Sequence, residues 1–290
     1  MASLRAFCIL FVFATATLAG IPLQWLAVKL GLNAARTFPR LYHRFVCRLF
    51  GVRVAVTGVP LRGGGLMAAN HTGWLDIPIL SSIAPVSFVA KSEVGRWPFF
   101  GTLARLQRTI FVRREKSKAA EDRDNIKMRL IEGDTLVIFP EGTSSDGNHV
   151  LAFRSALLSA AELGLGEDAG HHRLQVPVQP VSVAYIGVHG MPMGREIRPF
   201  FAWYGDMELV PHLWEALKTG PIEVAVEFHP PLTIGQAGGR KALAARAEAA
   251  VRSGLIRALA GSNAAVAPPQ QDEALLEALS EAEDENADAA

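Results

Sequence analysis

From Ala6 to Val28 the chain is almost wholly apolar, with Gln24 its one strongly polar member. Wound as one helix, that run reaches about 34 Å, enough for the hydrocarbon core of a bilayer. Gly20-Ile21-Pro22 is expected to interrupt it, and the part before the break reaches only about 21 Å. The pattern therefore predicts either a spanning helix or a kinked insertion in one leaflet, with a cleaved signal peptide as a third reading. Directly afterwards Arg36, Arg40, Arg44 and Arg48 recur every four residues, beside an apolar face of Phe38, Leu41, Tyr42, Phe45 and Leu49. This is the pattern of a helix on an anionic membrane surface, where each arginine contributes about 1 kcal/mol; a helix packed on the next domain is the alternative.

Beyond residue 50 the periodicity changes. Short β-branched or aliphatic runs predict strands over 52–56, 66–69, 86–90, 109–112, 135–139, 178–185 and 222–228. Helical patterns lie between and after them, at 118–132, 153–163 and 240–259. Such alternation predicts an α/β fold with a mixed, largely parallel sheet covered by helices. The organisation expected is a membrane-anchoring helical segment over 1–49, one domain over 50–261, and a tail over 262–290.

Composition sharpens this picture. Half of the 290 residues are apolar, so a substantial core is available. Only Cys8 and Cys47 are present, which argues against a disulfide framework and a thiolate metal site and fits a reducing compartment. The last twenty residues carry eight acids and no base, marking a solvated, disordered tail. Without them 29 basic residues face 20 acids, so the near-neutral whole conceals a body of formal charge +9. That balance suits an anionic membrane surface, and no nucleic-acid partner is expected. Arg5 stands alone before the apolar run and five basic residues follow it, counting Lys29. The positive-inside bias then puts the domain on the cytoplasmic side of the inner membrane.

The chemistry sits in two segments just past expected strand ends, where α/β sheets place their ligands. Residues 70–76 read Asn-His-Thr-Gly-Trp-Leu-Asp, and 139–143 read Phe-Pro-Glu-Gly-Thr. A histidine held by a carboxylate is a suitable general base for an alcohol, because its ordinary pKa lies near neutral pH. Residues five apart on a helix point about 140° from each other. A direct pair therefore needs His71 in a loop and Asp76 on the first turn of the following helix.

These two segments, with Thr109 to Arg114 and Val176 to Pro180 in the same order, resemble the glycerolipid acyltransferase family. Lys91-Ser92-Glu93 and Trp97 to Gly101 are similar to its connecting segment, and the resemblance covers roughly residues 50–230. It implies transfer of an acyl group from acyl coenzyme A or acyl carrier protein, as co-substrate and without further cofactor or metal, to the hydroxyl of a membrane lipid. His71 and Asp76 are then the catalytic pair, Arg114 engages the acceptor's phosphate, and Glu141, Gly142 and Thr143 form the acceptor turn. Backbone N–H groups at Gly142 and Thr143 are candidate oxyanion donors.

One departure bears on the acceptor. The family's turn usually continues with arginine, whereas Ser144 stands here, followed by Ser145-Asp146-Gly147. Family members that acylate lyso-ornithine lipid have similar turns, with Asp146 placed to meet an amine. The resemblance thus puts 1-acyl-sn-glycerol-3-phosphate first and lyso-ornithine lipid second, with a thioesterase or a non-catalytic lipid-binding scaffold as remoter readings.

Overall fold

The computed structural model describes residues 1–113, 119–167 and 173–261. Arg114 and the acidic tail over 262–290, both given roles above, lie outside the described residues. The chain opens with α1 (Ala2–Lys29), α2 (Ala34–Phe50), β1 (Val52–Thr57) and β2 (Gly65–Ala69). It continues through α3 (Asp76–Ile83), β3 (Val86–Lys91), α4 (Phe100–Leu106), β4 (Ile110–Val112), α5 (Ala119–Ile131) and β5 (Thr135–Ile138). Next come the short hairpin strands β6 (Gly164–Glu167) and β7 (Arg173–Gln175), then β8 (Val178–Val188), β9 (Met191–Pro192) and α6 (Arg198–Phe201). The chain closes with α7 (Leu209–Thr219), β10 (Ile222–Phe228), α8 (Ile234–Ala237) and α9 (Arg240–Leu259).

The main sheet has the order β1-β10-β8-β2-β5-β3-β4, with β9 paired to β8. Strands β8, β2, β5, β3 and β4 run parallel, while β10 opposes β8 and carries β1 parallel to itself. This is the mixed, largely parallel sheet that the alternation of patterns predicts. Side chains on a strand point alternately to its two faces, and the core divides accordingly. Met67, Ala69, Val137, Val181, Val183 and Tyr185 face a layer that includes Val46, Phe50, Ile79 and Leu217. Leu66, Ala68, Leu136, Ile138 and Val178 face Ile126, Leu130, Leu243, Ala247 and Val251. The stretch expected as an α-helix over 153–163 is instead a 3-10 helix, Ser155–Glu162. Its entry is tied down on two sides, since Phe153 N–H donates to Glu248 Oε2 (3.0 Å) and Arg154 N–H to Pro140 O (2.9 Å).

The N-terminal arm departs from expectation twice. Helix α1 runs unbroken through Pro22. Proline removes one backbone donor, but tertiary contacts hold the helix on either side of that gap. Thr17 Oγ1 meets Tyr42 Oη at 2.5 Å, and Gln24 Nε2 donates to Ala35 O (3.0 Å) and Leu106 O (2.8 Å). The arginine stripe of α2 is also not a free cationic face. Arg36 Nε pairs with Asp134 Oδ1 at 2.9 Å, and Arg44 Nε donates to Ser82 O (3.0 Å). The reason is Asp134, only 6% exposed, whose buried carboxylate collects Arg36, Arg108 and Arg129. Arg48 remains exposed and Arg40 half-buried.

Candidate active site

The parallel register brings the C-terminal ends of β2, β5, β3 and β4 to one edge of the sheet, with Ala68 opposite Ile138, Val137 opposite Phe88, and Lys91 opposite Val112. The His71 segment and the Glu141 turn leave the sheet at this edge, after β2 and β5, whereas Val176 to Pro180 enters β8 at the opposite edge. Asn70 extends the ladder with its side chain. Its Nδ2 donates to Val183 O (2.9 Å) and its Oδ1 accepts from Val183 N–H (2.8 Å), so the residue before His71 is pinned to β8.

Asp76 is the first residue of α3 and is fully buried. Its Oδ2 accepts from Thr72 N–H (2.7 Å) and Gly73 N–H (2.9 Å) and lies 2.8 Å from His71 Nδ1. Its Oδ1 accepts from Tyr185 Oη at 2.9 Å. Burial, with the Asp76 charge beside it, pushes the Tyr185 phenol well up, so Tyr185 stays a donor. Thr72 N–H and Gly73 N–H already occupy Oδ2 as donors, which makes the carboxylate an acceptor and places the His71 proton on Nδ1. The lone pair is then on Nε2 of the half-buried ring. That ring stacks on Phe139, centroids 4.0 Å apart, so the two motifs touch face to face.

Trp203 joins them a second time. Its N–H donates to Thr72 O (2.9 Å), and its carbonyl accepts from Ser144 Oγ (2.6 Å). Ser145 N–H also donates to His71 O (2.8 Å). Gly73 is required beneath this crossing, because a Cβ would stand 2.8 Å from Trp203 N. On the outer side Trp74 Nε1 donates to His212 Nδ1 at 3.0 Å.

The acceptor turn is arranged differently. Glu141 is turned inward, 1% exposed, where Oε1 accepts from Leu151 N–H (3.2 Å) and Oε2 has no partner among the described residues. Burial pushes its carboxyl up to about 8. As placed, it lies beneath the turn. Gly142 N–H donates to Phe139 O (3.0 Å), which removes it as an oxyanion donor, whereas Thr143 is exposed. Asp146 folds back on its own turn, Oδ1 accepting from Asn148 N–H (2.9 Å) and lying 3.1 Å from His149 Nδ1, while Oδ2 accepts from Asn148 Nδ2 (3.1 Å). Partial burial raises its pKa, but the Asn148 hydrogen bonds and the neighbouring His149 and Arg195 outweigh it and hold the carboxyl down. Arg113, beside Arg114, pairs with Glu121 and Asp122 at 2.9 Å each.

Sequence reasoning missed Tyr185, Trp203 as a bridge, and His212. Only Tyr185 left a signal: it follows Val181 and Val183 on the core face of a strand, and a buried phenol needs a partner.

A model of the acyltransferase family, described as "Acyltransferase", matches residues 53–184. The chain is 46% identical to a lyso-ornithine lipid O-acyltransferase of Brucella abortus over 89% of this chain and 97% of that one. It is 30% identical to a 1-acyl-sn-glycerol-3-phosphate acyltransferase of Neisseria gonorrhoeae over 66% of this chain and 69% of that one. In fold it is similar to the crystal structure of the 1-acyl-sn-glycerophosphate acyltransferase PlsC from Thermotoga maritima, with a TM-score of 0.58 and 23% identity over 89% of this chain and 97% of that one. The segment that supplies His71, Asp76 and the acceptor turn is thus the matched segment, and the chain belongs to the acyltransferase family.

Proposed function

We propose that the protein is a lyso-ornithine lipid O-acyltransferase, taking a fatty acyl group from acyl coenzyme A or acyl carrier protein. The likeness to the Brucella abortus protein over nearly its whole length carries the choice of acceptor. This reverses the order drawn from sequence alone, where the phosphate lipid stood first; the weaker likeness to the Neisseria protein keeps that acceptor as the second reading.

His71 Nε2 takes the proton of the acceptor hydroxyl as its oxygen attacks the thioester carbonyl. The imidazolium is held by Asp76 through Nδ1–H. The tetrahedral oxyanion collapses with cleavage of the carbon–sulfur bond, and the thiolate takes the proton back from Nε2. No covalent enzyme intermediate is needed. A positioned base supplies about 10² to 10⁴ in rate, and orientation with oxyanion donors such as Thr143 N–H supplies more.

The acceptor is reached from the membrane. Helix α1 is docked on the domain along its length, through Ala6, Ile9, Thr17, Gln24 and Ala27, so it crosses no bilayer without drawing the domain in. Its other side exposes Leu4, Phe7, Phe11, Leu18, Leu23 and Trp25. Of the two insertions expected, this favours α1 lying within one leaflet. Replacing Phe7 and Phe11 with serine should lower vesicle binding at least about tenfold, by loss of apolar burial, with unchanged Tm. Unchanged binding would mean that this face is not the lipid face.

The acceptor itself is tested by supplying purified protein and a labelled acyl thioester with lyso-ornithine lipid and with 1-acylglycerol-3-phosphate. Acylation of the ornithine lipid is expected. Product from the phosphate lipid alone would overturn the assignment.

A further inference from the structure

The turn after β5 lacks the arginine expected at position 144, and Ser144 cannot stand in for it, since its hydroxyl is bound to Trp203 O. A cation reaches the same turn from ten residues beyond Ser144. Gly142 has a φ of +73°, and a Cβ built on it would lie 3.5 Å from both Cδ and Cζ of Arg154. The guanidinium therefore lies over Gly142, sharing that face with Leu157, whose Cδ1 is 3.3 Å from the same point. Arg154 N–H donates to Pro140 O (2.9 Å), which fixes its backbone to the turn it covers.

Two further observations separate Arg154 from an ordinary surface arginine. It is exposed, yet it pairs with no acid among the described residues. The two acids nearest in sequence are engaged elsewhere, Asp146 with Asn148 and His149 and Glu162 with Arg240. The turn that the cation covers is joined to the reacting centre: Gly142 N–H donates to Phe139 O, and the Phe139 ring stacks on His71.

We infer that Arg154 binds the anionic group of the acceptor's head, replacing from the 3-10 helix the cation that the turn itself lacks. On the proposed function, on which this rests, the anion is the carboxylate of an ornithine head; the phosphate of a lysophosphatidate offers the same paired oxygens. A planar guanidinium donates to either group through two parallel N–H bonds. Seating it on glycine leaves its outer edge open to the ligand.

The test is steady-state kinetics on the full-length protein, varying lyso-ornithine lipid at fixed donor. Arg154→Gln keeps the stem and removes the charge, and should raise the acceptor KM about tenfold or more, with kcat and the donor KM held within about twofold. Wild-type enzyme should lose the same factor on a lysolipid whose carboxylate is blocked as an amide, and Arg154→Gln should not distinguish the blocked lipid from the free one. An unchanged acceptor KM, or an equal loss on both lipids, would overturn the inference and leave the proposed function standing. If the wild type acylates only 1-acylglycerol-3-phosphate, the acceptor assignment fails, while a raised KM for that lipid in Arg154→Gln still upholds Arg154.

Discussion

The His71 loop and the Glu141 turn lie face to face and are built on opposite plans. Around Asp76 every position is filled: Thr72 N–H, Gly73 N–H, His71 Nδ1 and Tyr185 Oη converge on two oxygens at 2.7 to 2.9 Å. Across the Phe139 ring the turn keeps an exposed Thr143 and, among the described residues, an Arg154 without an acid partner and a buried carboxyl with one oxygen unsatisfied. The difference teaches how one fold serves several acceptors. On the proposed function, the proton-transfer pair is fixed by closed hydrogen bonds before substrate arrives, whereas exposed Thr143 and Arg154 are left open to the acceptor, so specificity can change without disturbing the base.

Breaking the closed side should cost most. His71→Ala should lower kcat by at least about 10², the contribution of a positioned base, with the fold retained by circular dichroism; near-wild-type turnover would sink the mechanism. Asp76→Asn should cost nearly as much, because an amide nitrogen brings a donor to a site where four donors already point. Here a fall in Tm should accompany the fall in kcat. Tyr185→Phe leaves the ring packed and removes one charge-assisted hydrogen bond, for a loss of about tenfold in kcat. An equal fall in Tm without loss of turnover would assign Tyr185 to packing alone.

The open side should respond more gently. Ser144→Arg breaks the bond to Trp203 O and adds a cation, and should reduce turnover of lyso-ornithine lipid several-fold, roughly the effect of one neutral hydrogen bond. Higher turnover would show that the turn gains from that charge. The last effect is on stability rather than turnover. Because the folded-state pKa of Glu141 is raised to about 8, the folded protein holds a proton that the unfolded chain releases above its ordinary carboxyl range. Stability from this group is full below about pH 4.5 and falls towards pH 8, by at most about 1.4 kcal/mol per pH unit. Glu141→Gln should flatten the slope of denaturation midpoints over that range; an unchanged slope would mean that Glu141 is ionised when folded.

The sequence by itself determined a good deal. Alternating runs located seven strands of the main sheet within a few residues, because a strand buried on both faces must be apolar almost throughout; the two-residue β9 and the short hairpin strands β6 and β7 escaped. Helix α9 was read to its bounds. The five-residue spacing of His71 and Asp76 required a loop followed by a helix start, as found. What the spacing does not contain is the company these residues keep. Tyr185 lies 109 positions from Asp76, and Trp203 59 from Ser144; such pairs exist only once the sheet order is set. The same holds for the misreadings. Pro22 breaks a helix judged locally but not one held from both sides, and Arg36 looks free until Asp134 is buried beside it. Local pattern decides which elements form, since it acts through neighbours in the chain. Tertiary structure decides which buried polar groups must be satisfied and by whom, since that depends on water being excluded, and exclusion is a property of the packed whole.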